Sequence, residues 1–126
     1  MLFVWKIQFS LIQNLMHACK SVYPNEFIAL LGVKGHADLL EELVMVPATF
    51  GESFSSLRSD LIPFDSRIVG SIHSHPTPNG YPSTEDLNAF SRLGRIHLIA
   101  YPPFEWTHFN AFNEKGKLQR MQVIDT

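Results

Sequence analysis

The chain has 126 residues, with ten Lys and Arg against twelve Asp and Glu and a formal net charge of −2. That length is enough for one domain, residues 1–126, with its own core. The balanced charge contains no run of Lys or Arg, so nothing points to nucleic acid or to an anionic membrane surface. A single cysteine, Cys19, excludes an intrachain disulfide and a cysteine-rich structural zinc site, and it fits a reducing cytoplasm.

The apolar start Met1-Leu2-Phe3-Val4-Trp5 is interrupted by Lys6, Gln8 and Ser10 and lacks a basic leader region, so a signal peptide is not expected. No apolar stretch approaches the ~20 residues of a membrane-spanning helix. Phe3 to Phe9 alternates as a strand does, and Ser10 reads as the N-cap of a helix to about Ser21. Leu11, Leu15, Ala18 and Val22 share one face of that helix, and Tyr23-Pro24-Asn25 stops it. Glu26 to Val33 reads as a buried strand whose only charge is its first residue. Residues 34–38 form a turn, and Leu39 to Pro47 is a second strand in a hairpin with the first. Residues 48–66 are irregular, with a short helix expected near Ser53 to Ser59. Arg67 to His73 is a central strand. Ser83 to Leu93 is a helix ended by Gly94, with Leu87 and Phe90 facing inward. Ile96 to Tyr101 is another buried strand, broken by Pro102-Pro103. Trp106 to Asn113 and Leu118 to Ile124 flank Glu114-Lys115-Gly116-Lys117 as a hairpin. Strands outnumber helices, and the pattern predicts an α/β (α+β) domain: one mixed β-sheet flanked by helices.

The most informative stretch is His73-Ser74-His75-Pro76, at the end of the central strand. Strand residues two apart share a face, so His73 and His75 point the same way. The loop of residues 76–82 then leads to Ser83-Thr84-Glu85-Asp86, which can return a carboxylate to the two imidazoles. Two His, one carboxylate and an open fourth position are the ligand set of a catalytic zinc. Ser83 and Asp86 also read as a helix capping box, and both readings can hold at once. Glu26 is either an exposed strand-end residue or a general base beside a metal-bound water.

Glu26, the His73-Ser74-His75 triplet, seven residues, and then Ser83-x-x-Asp86 together resemble the full signature of the JAMM (MPN+) zinc metalloproteases. The apolar strand Phe27 to Gly32, Val69-Gly70 before the histidines, and Pro82 before the serine match as context. The resemblance spans about residues 10–124. It implies a mixed sheet between helices, similar to the cytidine deaminase architecture. It implies one catalytic zinc ion (Zn2+) on His73, His75 and Asp86. Glu26 would activate a zinc-bound water and pass the proton to the leaving amine. Ser83 would hydrogen-bond that water or help stabilise the oxyanion. The family cleaves isopeptide or peptide bonds after the C-terminal tail of ubiquitin-like proteins. Two departures stand out. The strand after Glu26 lacks the cysteine of some members, and of the two ubiquitin-gripping insertions of eukaryotic members the second, near Pro102 to Trp106, has no room, while residues 48–66 could supply only a small first one. The resemblance is therefore to a minimal prokaryotic-type member, whose expected substrate is a ubiquitin-like or sulfur-carrier protein ending in Gly-Gly. Its tail would add as a strand beside the cleft.

Two other readings compete: a non-catalytic scaffold of the same fold that mediates homodimer contacts, and a zinc hydrolase of a small amide. A nucleoside deaminase is not expected, since that chemistry wants His-x-Glu with Pro-Cys-x-x-Cys and neither motif is present. His97 and His108 read as structural, His17 and His36 as surface residues, and Cys19 as packing. Phe50, Phe54, Phe64 and Trp106 read as aromatic core or as lining of a substrate groove. Residues 48–66 are the candidate for a closing loop.

Overall fold

The computed structural model describes residues 4–46, 54 and 65–125. The described elements are β1 (Trp5–Gln8), α1 (Phe9–Val22), β2 (Ile28–Val33), β3 (Leu39–Met45), β4 (Ile68–Ser74), α2 (Thr84–Leu93), β5 (Ile96–Ala100), β6 (Phe109–Phe112) and β7 (Met121–Ile124). The strands form one seven-stranded mixed sheet in the order β6-β5-β4-β2-β3-β1-β7. The α/β (α+β) expectation holds. Neither helix is long and apolar enough to cross a membrane.

Alternation along β5 shows how the layers form. Ile96, Leu98 and Ala100 join the larger core with Ile12, Leu15 and Met16 of α1. Ile99 points the other way and packs with Phe90 and Leu93 of α2. Each helix thus covers one face of the sheet, and each fully buried Leu, Ile or Phe contributes about 1.5–3 kcal/mol. Gly70 of β4 lies opposite Ile96 of β5, and a Cβ there would run into the Ile96 carbonyl. The β2–β3 hairpin forms as expected, with Leu31 opposite Leu43.

Several expectations need correction. The first helix begins at Phe9 with Gln8 as its N-cap, not Ser10, and no side chain caps it. Strand β1 runs straight into α1, so position in the chain rather than capping chemistry sets that start. Leu87 does not face inward: it is 39% exposed and lies over the turn at Gly116. Ala89 and Leu93 fill the buried face alongside Phe90.

The expected hairpin of residues 106–124 is also not formed as such. The turn is real, since Gly116 N donates to Asn113 O and Asn113 N to Lys117 O, both at 2.9 Å. Beyond one bridge between Phe112 and Leu118, however, the strands part. β6 pairs antiparallel with β5, and β7 pairs parallel with β1 at the opposite end of the strand order. Only Gln119 and Arg120 separate Leu118 from Met121, a reach of about 10 Å. The sheet therefore curls until its two ends approach each other. Arg95, which precedes β5, accordingly lies over the Trp5 ring of β1 at 5.5 Å. The helix expected near Ser53 to Ser59 and the proposed closing loop lie outside the described residues, apart from Phe54 and residues 65–66.

Candidate metal centre

Strands β2 and β4 run antiparallel with Ile28 opposite His73, so the start of β2 lies beside the end of β4. Ser74 ties the two together. Its N–H donates to Phe27 O at 3.0 Å, and its Oγ accepts from Phe27 N at 2.8 Å. The serine between the two histidines thereby fixes the residue next to Glu26. On the far side of the loop, Ser83 caps α2. Its Oγ accepts from Asp86 N at 3.0 Å, while Asp86 Oδ2 accepts from Ser83 N at 3.1 Å. That reciprocal capping box holds the Asp86 carboxylate rigidly at the helix N-terminus, where the helix dipole favours an anion.

His73 Nε2, His75 Nε2 and Asp86 Oδ2 meet in a triangle, with all three separations at 3.2 Å. Donors held about 2.0 Å from a tetrahedral zinc lie roughly 3.3 Å apart, so this triangle fits three corners of that geometry. Proton bookkeeping supports the same reading. His75 Nδ1 donates to the Asn79 carbonyl at 2.6 Å, which leaves the lone pair of a neutral imidazole on Nε2. That lone pair faces the carboxylate oxygen, an arrangement that a cation between them stabilises. His73 is fully buried, and its Nδ1 has no hydrogen-bond partner among the described residues. Such a buried unpaired group costs about 1–3 kcal/mol and is sustained where the ring serves another purpose. Among the described residues, these three each place one ligand atom close enough to the others to hold a metal ion between them.

Electrostatics match this placement. Burial lowers the His73 pKa, against the opposing pull of Asp86, so the imidazole is held neutral, the form that binds metal. At His75 burial also acts downward, but the Asp86 carboxylate and the Asn79 carbonyl outweigh it and raise the pKa. Burial alone would raise Asp86; its contacts with both histidines overcome this and hold it well below the carboxylate range. Glu26 is half-buried, and its charge reaches both imidazoles, favouring their protonated forms. Its Oε1 lies 3.4 Å from Phe54 N. Ser83 is exposed, and a hydroxyl that accepts from a cap still has its own proton to donate.

A dry floor lies beneath the triangle. The Phe54 ring stacks on His73 at 4.0 Å and 4°, and its edge meets Phe90. Phe90 also stacks on His97 at 4.3 Å and 5°. His97 Nε2 donates to Gly94 O at 2.8 Å, so its Nδ1 accepts from Ser71 Oγ at 2.7 Å. The structural reading of His97 holds: it links β4, β5 and the end of α2. Burial pushes its pKa down to about 4, although the Gly94 and Phe90 carbonyls favour the charged form. An unfolded histidine takes its proton near ~6.5. Between those values the unfolded chain binds more protons than the folded one. Stability from this group is therefore complete above about pH 6.5 and falls as pH drops towards 4, by up to about 3 kcal/mol. Urea titrations from about pH 7 to about pH 4 on wild type and His97→Gln test this. The wild type should lose more stability across that window; equal losses would contradict the assignment. Cys19 is buried, and its thiol is pushed up to about 12, consistent with packing rather than reactivity.

The structure thus brings His73, His75 and Asp86 together, ties Ser83 to Asp86, and places Glu26 where its charge acts on both imidazoles. Ser74 and Asn79 are supports that the sequence does not announce, and His97, read as structural, also ties β4 to the end of α2. Ser74 lies inside the motif, whereas Asn79 acts through its carbonyl, which leaves no side-chain signature.

The model for prokaryotic homologs of the JAB domain matches residues 9–115. A protein of Haloferax volcanii described as a probable metalloprotease is 33% identical over 119 residues, covering 87% of this chain and 73% of that one. The crystal structure of a JAB1/MPN domain protein from Archaeoglobus fulgidus is 31% identical, with a TM-score of 0.74 over 95% of this chain and 96% of that one. A structure reported as JAMM, a metalloprotease-like zinc site in the proteasome and signalosome, is also 31% identical, with a TM-score of 0.75 over 96% of this chain and 98% of that one. A solution structure from Desulfitobacterium hafniense, 19% identical, shares the fold at a TM-score of 0.62 over 98% of this chain and 93% of that one. The connection between β5 and β6 is a compact turn closed by Tyr101 N to His108 O, with no insertion. The chain is a minimal prokaryotic member of the JAMM/MPN family, the prokaryotic homologs of the JAB domain.

Proposed function

We propose that this protein is a zinc-dependent metalloprotease of the cytoplasm, with residues 1–126 forming one JAMM domain. Its substrate would be the amide bond after the C-terminal tail of a ubiquitin-like or sulfur-carrier protein. The observation that carries this reading is the triangle of His73 Nε2, His75 Nε2 and Asp86 Oδ2 at 3.2 Å, with the charge of Glu26 acting on both imidazoles. A zinc ion held there supplies Lewis acidity, lowering the pKa of water and polarising a carbonyl oxygen.

The chain's own residues do the rest. Glu26 accepts a proton from the attacking water at its carboxylate and returns it to the leaving amine. The Ser83 hydroxyl, fixed by the helix cap, donates towards the charge that develops on the carbonyl oxygen. Phe54 and Phe90 keep the floor of the site apolar, which strengthens each of these interactions. A purely scaffolding domain has no use for three converging donors and a neighbouring base.

The test is incubation of the zinc-loaded protein with a sulfur-carrier protein joined through its Gly-Gly tail to a lysine-bearing peptide, beside a short amide carrying the same tail. Cleavage after Gly-Gly that needs the folded carrier and stops with a chelator is expected. Equal rates on the short amide would favour a small-amide hydrolase, and no cleavage of either would remove the protease reading.

A further inference from the structure

His75 lies at the partly buried rim of the site, and one contact decides which of its nitrogens faces the cluster. That contact is the 2.6 Å hydrogen bond from Nδ1–H to the Asn79 carbonyl. The carbonyl belongs to a loop whose residues Pro76 to Asn79 are all exposed. Such a loop holds a carbonyl in place only if something rigid anchors it.

Gly80 provides the anchor. It is buried, and its carbonyl accepts from Asn110 Nδ2 at 2.9 Å. Asn110 lies in β6 opposite Ile99 of β5, and β5 in turn accepts His75 N–H at Ala100 O. The fit is tight. A Cβ on Gly80 would lie 2.6 Å from Asn110 Nδ2 and 2.6 Å from Tyr101 Cδ1. Next in the loop, Tyr81 N donates to Asn79 Oδ1, and the Tyr81 ring meets Phe112, the residue two after Asn110 on β6.

We propose that Asn110 is a positioning residue: by clamping the Gly80 carbonyl it holds the Asn79 carbonyl against His75 Nδ1, and so fixes the tautomer and ring orientation that present Nε2 to the metal site. The assignment extends the proposed metal centre and rests on it for the role of His75, but the clamp itself is readable without metal. Outer contacts of this kind typically change metal affinity by about 10–100-fold when removed.

Asn110→Asp is the sharpest variant, because it keeps the shape but replaces the donating amide with a carboxylate that repels the Gly80 carbonyl. Gly80→Ala attacks the same clamp from the other side. Nitrogen-15 NMR of the metal-free proteins, at a pH where imidazoles are neutral, reads the His75 tautomer directly, and chelator competition reads zinc affinity. The wild type should hold its proton on Nδ1. Either folded variant should mix the two tautomers and bind zinc about 10–100-fold more weakly. An unchanged His75 tautomer in folded Asn110→Asp and Gly80→Ala would overturn the assignment. Mixed tautomers in the variants with no zinc binding even in the wild type would uphold the clamp and remove the metal-centre reading instead.

Discussion

Glu26→Ala is expected to keep its zinc and to turn over substrate about 10²–10⁴-fold more slowly than wild type. The two halves of this result rest on separate observations. Zinc retention follows because Glu26 is not one of the three donors at 3.2 Å. The fold tolerates the change because Ser74 holds the adjoining Phe27 backbone; the variant gives up only the long 3.4 Å contact that Phe54 N makes to Glu26 Oε1. The loss of rate follows from removing a carboxylate, electrostatically coupled to both imidazoles, that can accept and return a proton. Glu26→Gln keeps the shape and should fall as far, since an amide cannot take the proton. Steady-state rates alongside metal content check both halves. Full activity in either variant would sink the mechanism, whereas loss of zinc would make Glu26 a ligand rather than a base.

His75→Ala is expected to lose zinc and keep the fold. Spreading the ~10–16 kcal/mol of a tetrahedral zinc site over four ligands assigns about 3 kcal/mol to each, or more than ~100-fold in affinity. His75 is a cleaner choice than His73. The His73 ring is fully buried under Phe54, so truncating it also opens a cavity. His75 is at the rim, and its removal frees the Asn79 carbonyl into an exposed loop where water can replace the bond. Circular dichroism and a chelator titration separate the two effects. Unchanged zinc affinity would show that the triangle is not the metal site.

The candidate site was legible in the sequence because its parts are local. His73 and His75 share a strand face through the two-residue period, and Ser83 with Asp86 is a helix start that any capping analysis finds. Gly94 likewise marked the end of α2. Illegible features were those decided by long-range packing. The turn at Asn113 to Lys117 formed as its residues predict, but the strand after it found β1 rather than β6, because the sheet curls. No local pattern in Met121 to Ile124 names a partner. Ser10 looked like a cap, yet β1 feeds α1 without one. Leu87 has the spacing of a core residue, but it lies over the Gly116 turn and leaves the inner face to Ala89, Phe90 and Leu93. Support for His75 from a backbone carbonyl, and for that loop from Asn110 some 30 residues on, leaves no trace in residue type at all.

The measurement that bears most directly on this account is elemental analysis of the untagged protein, wild type beside His75→Ala. Close to one zinc per wild-type chain and none in the variant is the expected result. Zinc absent from both, or equal in both, would contradict it.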